Sequence, residues 1–378
     1  MTLLLDDRTP GPGTHALVIG VGAYPHLLGG GATTFPGHEG MTQLTSSPIS
    51  AVKMTKWFLE KYRSDTRKLR SLDLLVSSHV PTSFRMLDGT DRPVEAATFA
   101  NAKQAVKAWK GRADSDPANL MVFFFSGHGL ARGLQVTLAL EDYGSDPDQP
   151  LAAAIDFSNL YLGLDLCVAR NQVYFVDACR VSSGALLTPS GWNGDPIYYS
   201  SRDLTDRLAP IFYATFPGAA AYGVLGGPTV FTGALLEALD GAGSDDIPVR
   251  GAWRIQTDCL NRGIDFILRQ RVAGTSASDQ LAHVEHLTRL AIHDLPGLPS
   301  VPVEIACQND GQTEAAIFSY QGSSGSGRRM PPREGAWRLD LDEGEYDFTA
   351  DLQPPLSGAG TLHDRVTPPF RPVRIEVR

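Results

Sequence analysis

Residues 123–129, Phe-Phe-Phe-Ser-Gly-His-Gly, close an apolar run on His128, which sits between two glycines. Residues 173–180, Val-Tyr-Phe-Val-Asp-Ala-Cys-Arg, close another on Cys179. A thiol of ordinary pKa is only a few per cent thiolate at neutral pH. A nearby imidazole can promote the thiolate or protonate a leaving amine. Gly127 and Gly129 have no side chain, so a substrate carbonyl can approach the backbone there and a free N–H can stabilise an oxyanion. Taken singly, a cysteine at a strand end is usually a small buried hydrophobe, and a loop histidine is usually just exposed. The pair is more telling. His128 and Cys179 lie 51 positions apart, each directly after a buried apolar run. Reactive groups collect at the carboxyl ends of parallel strands, and successive strands are usually neighbours. Both residues are therefore expected to face one crevice.

The surrounding pattern supplies such a sheet. Residues 15–21, 73–77, 119–125, 172–176 and 211–215 read as strands, the longer ones continuously apolar, as strands covered on both faces are. Helical stretches fall at 47–62, 96–109, 157–169, 230–239 and 253–270, with Ser47 as N-cap and Pro48 at the first helical position of the earliest. Strands alternating with helices imply a mostly parallel sheet with helices on both faces. From about residue 298 only short strands and turns follow, which implies a small all-β, sandwich-like domain. The expected organisation is a tail at 1–13, an α/β domain at 14–297 and a β domain at 298–378. Residues 181–208 read as a long loop rich in Ser, Gly and Pro.

Composition narrows the function classes. The chain has 378 residues, 33 Lys plus Arg against 42 Asp plus Glu, and a net charge of −9. Nucleic-acid backbone binding needs a basic footprint, so no nucleic-acid partner is expected. Cys167, Cys179, Cys259 and Cys307 are too few and too scattered for a disulfide scaffold and have no CxxC spacing. The acidic start of the chain does not fit a signal peptide. The uncharged stretch 209–236 is broken by Pro210, Pro217 and Pro228, so no membrane span is expected. The expected location is cytoplasmic. Gly20-Val-Gly fails as a dinucleotide fingerprint because the third glycine is missing and Pro25 follows. No P-loop or nucleophile-elbow serine motif occurs. His283 and His286, three apart on an expected helix, lack a third metal ligand nearby, and no metal site is assigned to them.

Ser126-Gly-His-Gly129 and Asp177-Ala-Cys-Arg180 resemble the His and Cys motifs of caspase-like peptidases. Asp177 stands where caspases have Gln, and Val181 where they have Gly; Asp at the first position resembles the metacaspase and bacterial orthocaspase branch. Weaker similarities at residues 16–22, 47–51 and 231–239 extend the resemblance over roughly 14–295. It implies a cysteine endopeptidase with a Cys–His dyad. Cys179 would be the nucleophile and His128 the proton donor to the leaving amine. The N–H groups of Gly129 and Cys179 would form the oxyanion hole. Asp177 would line the S1 pocket and select Arg or Lys at P1, Arg preferentially through two hydrogen bonds. No cofactor is implied, although some relatives depend on calcium; Asp142, Asp146, Asp148 and Asp156 are the candidate ligands here. The partners implied are a protein or peptide substrate and an activating protein or protease. A regulated zymogen in bacterial stress or defence fits, with processing at Arg202 or Arg207. The alternative is a catalytically silent interaction or scaffold module.

Overall fold

A computed structural model of the chain describes residues 2–182, 194–198, 207–245, 248, 251–273, 275, 277 and 280–378. The chain divides into two compact units. One comprises Met1–Leu236 and Leu268–Ile292, the other Glu237–Ile267 and His293–Arg378.

The first unit is built on a seven-stranded sheet. Its strands are β1 (Thr2–Asp6), β2 (Gly13–Val21), β3 (Lys68–Ser77), β4 (Leu120–Gly127), β5 (Asn171–Ala178), β6 (Ile211–Tyr213) and β7 (His283–Glu285). They lie in the order β1-β3-β2-β4-β5-β6-β7. The five inner strands are parallel to one another, and the two edge strands are antiparallel. Every residue of β2 and β4 is buried, which is why both read as unbroken apolar runs instead of alternating ones. Helices Ser46–Glu60 and Phe99–Ala113 belong to the same unit. Trp109 anchors the second of these, its Nε1 donating to the His15 carbonyl at 2.8 Å inside the core. Phe123 and Tyr174 pack with Phe157 in an aromatic cluster of the core.

Several local expectations change. Residues 2–6 are not a tail but β1, whose Leu4 is buried. The first helix begins at Ser46, with Thr45 as an N-cap that makes no side-chain bond; the Ser46 hydroxyl goes instead to the Val224 carbonyl at 2.9 Å. His283 lies in strand β7, not on a helix, and its Nε2 is 3.4 Å from Glu285. A small second sheet is formed by Val181–Ser182, Gly129–Arg132, Gln135–Ala139 and Ala154–Asp156, so the chain leaves the main sheet at His128 and turns back on itself after Arg132.

The second unit holds a three-stranded sheet, with Ser300–Cys307 between Trp337–Asp342 and Arg371–Ile375, and a four-stranded sheet of Gly325–Arg329, Ala316–Gly322, Gly344–Leu352 and Ala359–Val366. Val303, Ile305 and Val373 from the first and Phe318, Phe348 and Val366 from the second share one core. That is the sandwich-like arrangement the short strands imply.

Candidate active site

The β4–β5 register pairs Ser126 with Asp177 and Gly127 with Ala178. His128 and Cys179 are the next residues on each chain, so both leave the sheet together at its carboxyl edge. Packing demands the two glycines. A Cβ on Gly127 would lie 2.8 Å from the Tyr24 hydroxyl, and one on Gly129 would lie 2.4 Å from the Cys179 carbonyl oxygen.

Tyr24 holds the histidine. The His128 N–H donates to Tyr24 Oη at 2.8 Å, and Tyr24 Oη donates to the Ala139 carbonyl at 3.4 Å. The Ala139 N–H returns to the His128 carbonyl at 3.0 Å. The two rings lie 4.8 Å apart. His128 Nε2 is 2.7 Å from the Thr42 carbonyl oxygen. A carbonyl can only accept, so Nε2 carries the proton and Nδ1 is left to exchange one. Burial holds the imidazole below the usual histidine range, with the Thr42 bond opposing. Gln43 fixes the Thr42 loop: it accepts the Tyr24 N–H at 2.8 Å and donates to the carbonyls of Tyr24 at 2.9 Å and Leu28 at 3.1 Å.

Cys179 is half-buried, and its Sγ accepts the Ala221 N–H at 3.1 Å. Burial pushes the thiol up, the Asp177 charge adds to this, and the N–H groups of Ala221 and of Cys179 itself oppose it. The resting sulfur is therefore a thiol. Both side chains rest on flanking loops, His128 on Thr42 and Cys179 on Ala221. Backbone bonds tie the Ala221 loop down: the Arg180 N–H donates to the Ala219 carbonyl at 3.1 Å, and the Gly218 N–H donates to the Arg180 carbonyl at 2.8 Å. Arg180 is fully buried over the Tyr213 ring and pairs with Glu285 at 3.0 Å.

Gly129 pairs with Leu138. The neighbouring residues, His128 and Ala139, are joined by one bond, from the Ala139 N–H to the His128 carbonyl. Antiparallel alternation then turns the Gly129 N–H away from the Gln135–Ala139 strand.

Asp177 is 2% exposed. Its Oδ2 accepts the hydroxyls of Ser126 at 3.3 Å, Thr232 at 2.5 Å and Thr229, whereas Oδ1 is buried with no hydrogen-bond partner among the described residues. Burial pushes the carboxyl up to about 6 against these three hydroxyls. His128, Cys179 and Asp177 line one cleft of about 470 Å³ with Gln43, Tyr222 and Thr229.

The remaining expected site residues fare differently. Asp142 accepts the Phe99 N–H, Asp146 accepts those of Asp148 and Gln149, and Asp156 caps the helix at Phe157–Gly163. Three of the four candidate calcium ligands thus close turns or helix ends. No cluster of three or more metal-ligating side chains occurs among the described residues. Arg202 lies outside the described residues. Arg207 is not the exposed processing point its loop position suggests. It is buried, donates to Gln172 Oε1 at 2.9 Å and to the Tyr161 carbonyl at 2.6 Å, and stacks over the Tyr161 ring. Sequence reasoning missed Tyr24, Thr42, Gln43, Thr229 and Thr232. Of these only Tyr24 left a signal, as an aromatic residue directly after the first buried strand and its glycine turn.

The family model of the caspase domain matches residues 14–250. The chain is 25% identical over 335 residues to the uncharacterized protein y4kE of Sinorhizobium fredii, covering 85% of this chain and 93% of that protein. Among solved structures it is similar to caspase-1 from Spodoptera frugiperda, at 11% identity and a TM-score of 0.43, over 74% of this chain and 93% of that one.

Proposed function

The chain belongs to the caspase-domain family, and on that premise we propose that it is a cysteine endopeptidase that cleaves after basic residues. One observation carries the reading: the β4–β5 register brings His128 and Cys179 to the same strand edge, in one cleft.

In this reading His128 Nδ1 takes the Cys179 proton as the sulfur attacks the scissile carbonyl. The oxyanion is held by the N–H groups of Gly129 and Cys179. His128 then passes its proton to the departing amine, and water hydrolyses the thioester, with His128 again accepting and returning a proton. The Thr42 carbonyl supports this by keeping Nε2 protonated and the ring aimed. The raised thiol and the depressed imidazole leave both groups neutral at rest. The thiolate therefore forms only as its proton passes to His128.

Asp177 supports a basic P1 preference. It is a buried carboxylate on the cleft wall with one oxygen lacking a donor, which a P1 cation would supply. An acidic P1 side chain would meet repulsion there. The natural substrate would be a protein, cut by a regulated enzyme of a bacterial stress or defence pathway in the cytoplasm. Processing at Arg202 remains part of this proposal. Buried Arg207 does not.

Fluorogenic peptides with Arg, Lys, Asp or Ala at P1 test the reading against wild type and Cys179→Ala. Cleavage after basic residues by wild type alone is expected. Turnover by the folded Cys179→Ala protein would overturn the dyad, and cleavage after Asp would overturn the role of Asp177.

A further inference from the structure

The two oxygens of Asp177 are unequal. Oδ2 accepts three hydroxyls, from Ser126, Thr229 and Thr232, and Oδ1 accepts none among the described residues. A carboxylate offers about two acceptor positions on each oxygen, so three donors fill Oδ2. The Thr229 proton has no alternative direction. Thr229 Oγ1 already accepts the Thr232 N–H at 3.1 Å and the Ser50 hydroxyl at 3.4 Å, and Ser50 Oγ accepts the Thr229 N–H at 3.0 Å. The one hydroxyl proton of Thr229 is thereby committed to Asp177. Thr232, fully buried in the first turn of helix Val230–Glu237, donates its hydroxyl to the same oxygen at 2.5 Å.

This bears on which basic side chain the cleft prefers. A guanidinium gains its advantage over an ammonium by placing one N–H on each oxygen of a carboxylate. Lys is a point charge with rotatable donors and needs one oxygen only. With Oδ2 filled, Asp177 offers a single acceptor.

Resting on the reading that Asp177 receives the P1 side chain, we infer that the Thr229 and Thr232 hydroxyls set the Arg-against-Lys choice. They occupy Oδ2 and so remove the forked grip that would favour Arg. The wild-type cleft then accepts Lys and Arg nearly equally. This replaces the Arg preference expected from sequence, which assumed that both oxygens were open.

Two fluorogenic peptides identical except for Arg or Lys at P1 decide this, with kcat/KM measured for wild type, Thr232→Val and Thr232→Ser. Labelling of Cys179 by matched arginyl and lysyl ketone probes gives the same ratio where turnover is slow. Wild type is expected to take the two within about fivefold. Thr232→Val keeps the shape, leaves Thr229 and only the long 3.3 Å Ser126 contact on Oδ2, lets a guanidinium N–H displace that contact and should raise the Arg:Lys ratio roughly tenfold, the worth of one added charge-assisted hydrogen bond. Thr232→Ser keeps a hydroxyl and should leave the ratio near wild type. Thermal melting confirms that each variant is folded, and Thr229→Val substitutes should Thr232→Val not fold. An Arg preference above about fivefold in wild type overturns the inference while leaving basic P1 recognition standing. So does an unchanged ratio in a folded valine variant. Failure of wild type with both Arg and Lys, alongside cleavage after another residue, overturns the basic-P1 reading and this inference with it.

Discussion

At the end of β4 the polar groups around His128 are paired. Its N–H meets Tyr24, its carbonyl meets the Ala139 N–H, and Nε2 meets Thr42. One strand over, at the end of β5, buried polar atoms have no hydrogen-bond partner among the described residues: Asp177 Oδ1 and Arg180 Nε and Nη1. An unsatisfied buried group of this kind destabilises a fold by ~1–3 kcal/mol. The β4 end is thus built as a support that fixes an imidazole. At the β5 end, Asp177 Oδ1 keeps open acceptor capacity of the kind a ligand cation could fill. Function and stability should therefore fall together at the first and separate at the second.

The largest effect is expected where the two ends work as a unit. Cys179→Ala and His128→Ala should each lower kcat/KM by about 10³-fold or more, and the double variant should lose little beyond either single one. Additive losses in that cycle would mean the two ends act independently.

Asp177→Asn comes next, with an expected loss of roughly 100-fold on basic P1 peptides. Its stability should move differently. Folding raises the Asp177 carboxyl from 3.8 to about 6, so the folded state holds the proton more tightly than the unfolded one. This group's contribution to stability is present below about pH 4 and is lost as pH rises through about 6. At pH 7.5 the Asn variant should melt no lower than wild type, and its relative standing should worsen toward acid. Wild-type cleavage after Arg or Lys should fall as pH drops through about 6, because the carboxylate is then protonated. A pH-independent difference in melting between the two proteins would remove the carboxyl from this role.

Tyr24→Phe probes the β4 end. It strips the acceptor from a buried N–H, so stability should drop by ~1–2 kcal/mol and kcat should fall about tenfold together. A full melting temperature with lost activity would place Tyr24 with the β5 group instead. Gln43→Ala should do least, a several-fold loss in kcat, because the Thr42 carbonyl can still reach His128 in part of the population. Urea melts and steady-state kinetics on the same preparations separate these cases.

The two strand ends were legible because their signals are local. An unbroken apolar run followed at once by Gly-His-Gly or by Ala-Cys-Arg fixes both the element and the position of its last residue. What supports them was not legible. Thr42 acts through its backbone carbonyl, which no residue type announces. Thr229 and Thr232 reach Asp177 from more than fifty positions away, and threonines near a helix start read as ordinary caps. Arg207 looked exposed from its loop composition, yet Tyr161, Gln172 and Asp165 enclose it. The strand at 2–6 was missed because only three leucines mark it and its partner, β3, is distant in sequence.

The central claim, that His128 and Cys179 form one working site beside a cation-accepting Asp177, is tested most directly by covalent trapping. The protein would be incubated with a short peptidyl ketone probe carrying Arg at P1, and the modified residue found by peptide mass mapping. A single adduct on Cys179 is predicted, with buried Cys167, Cys259 and Cys307 untouched, strongly slowed by His128→Ala and by Asp177→Asn. An adduct on another cysteine, or equal labelling of wild type and both variants, would contradict it.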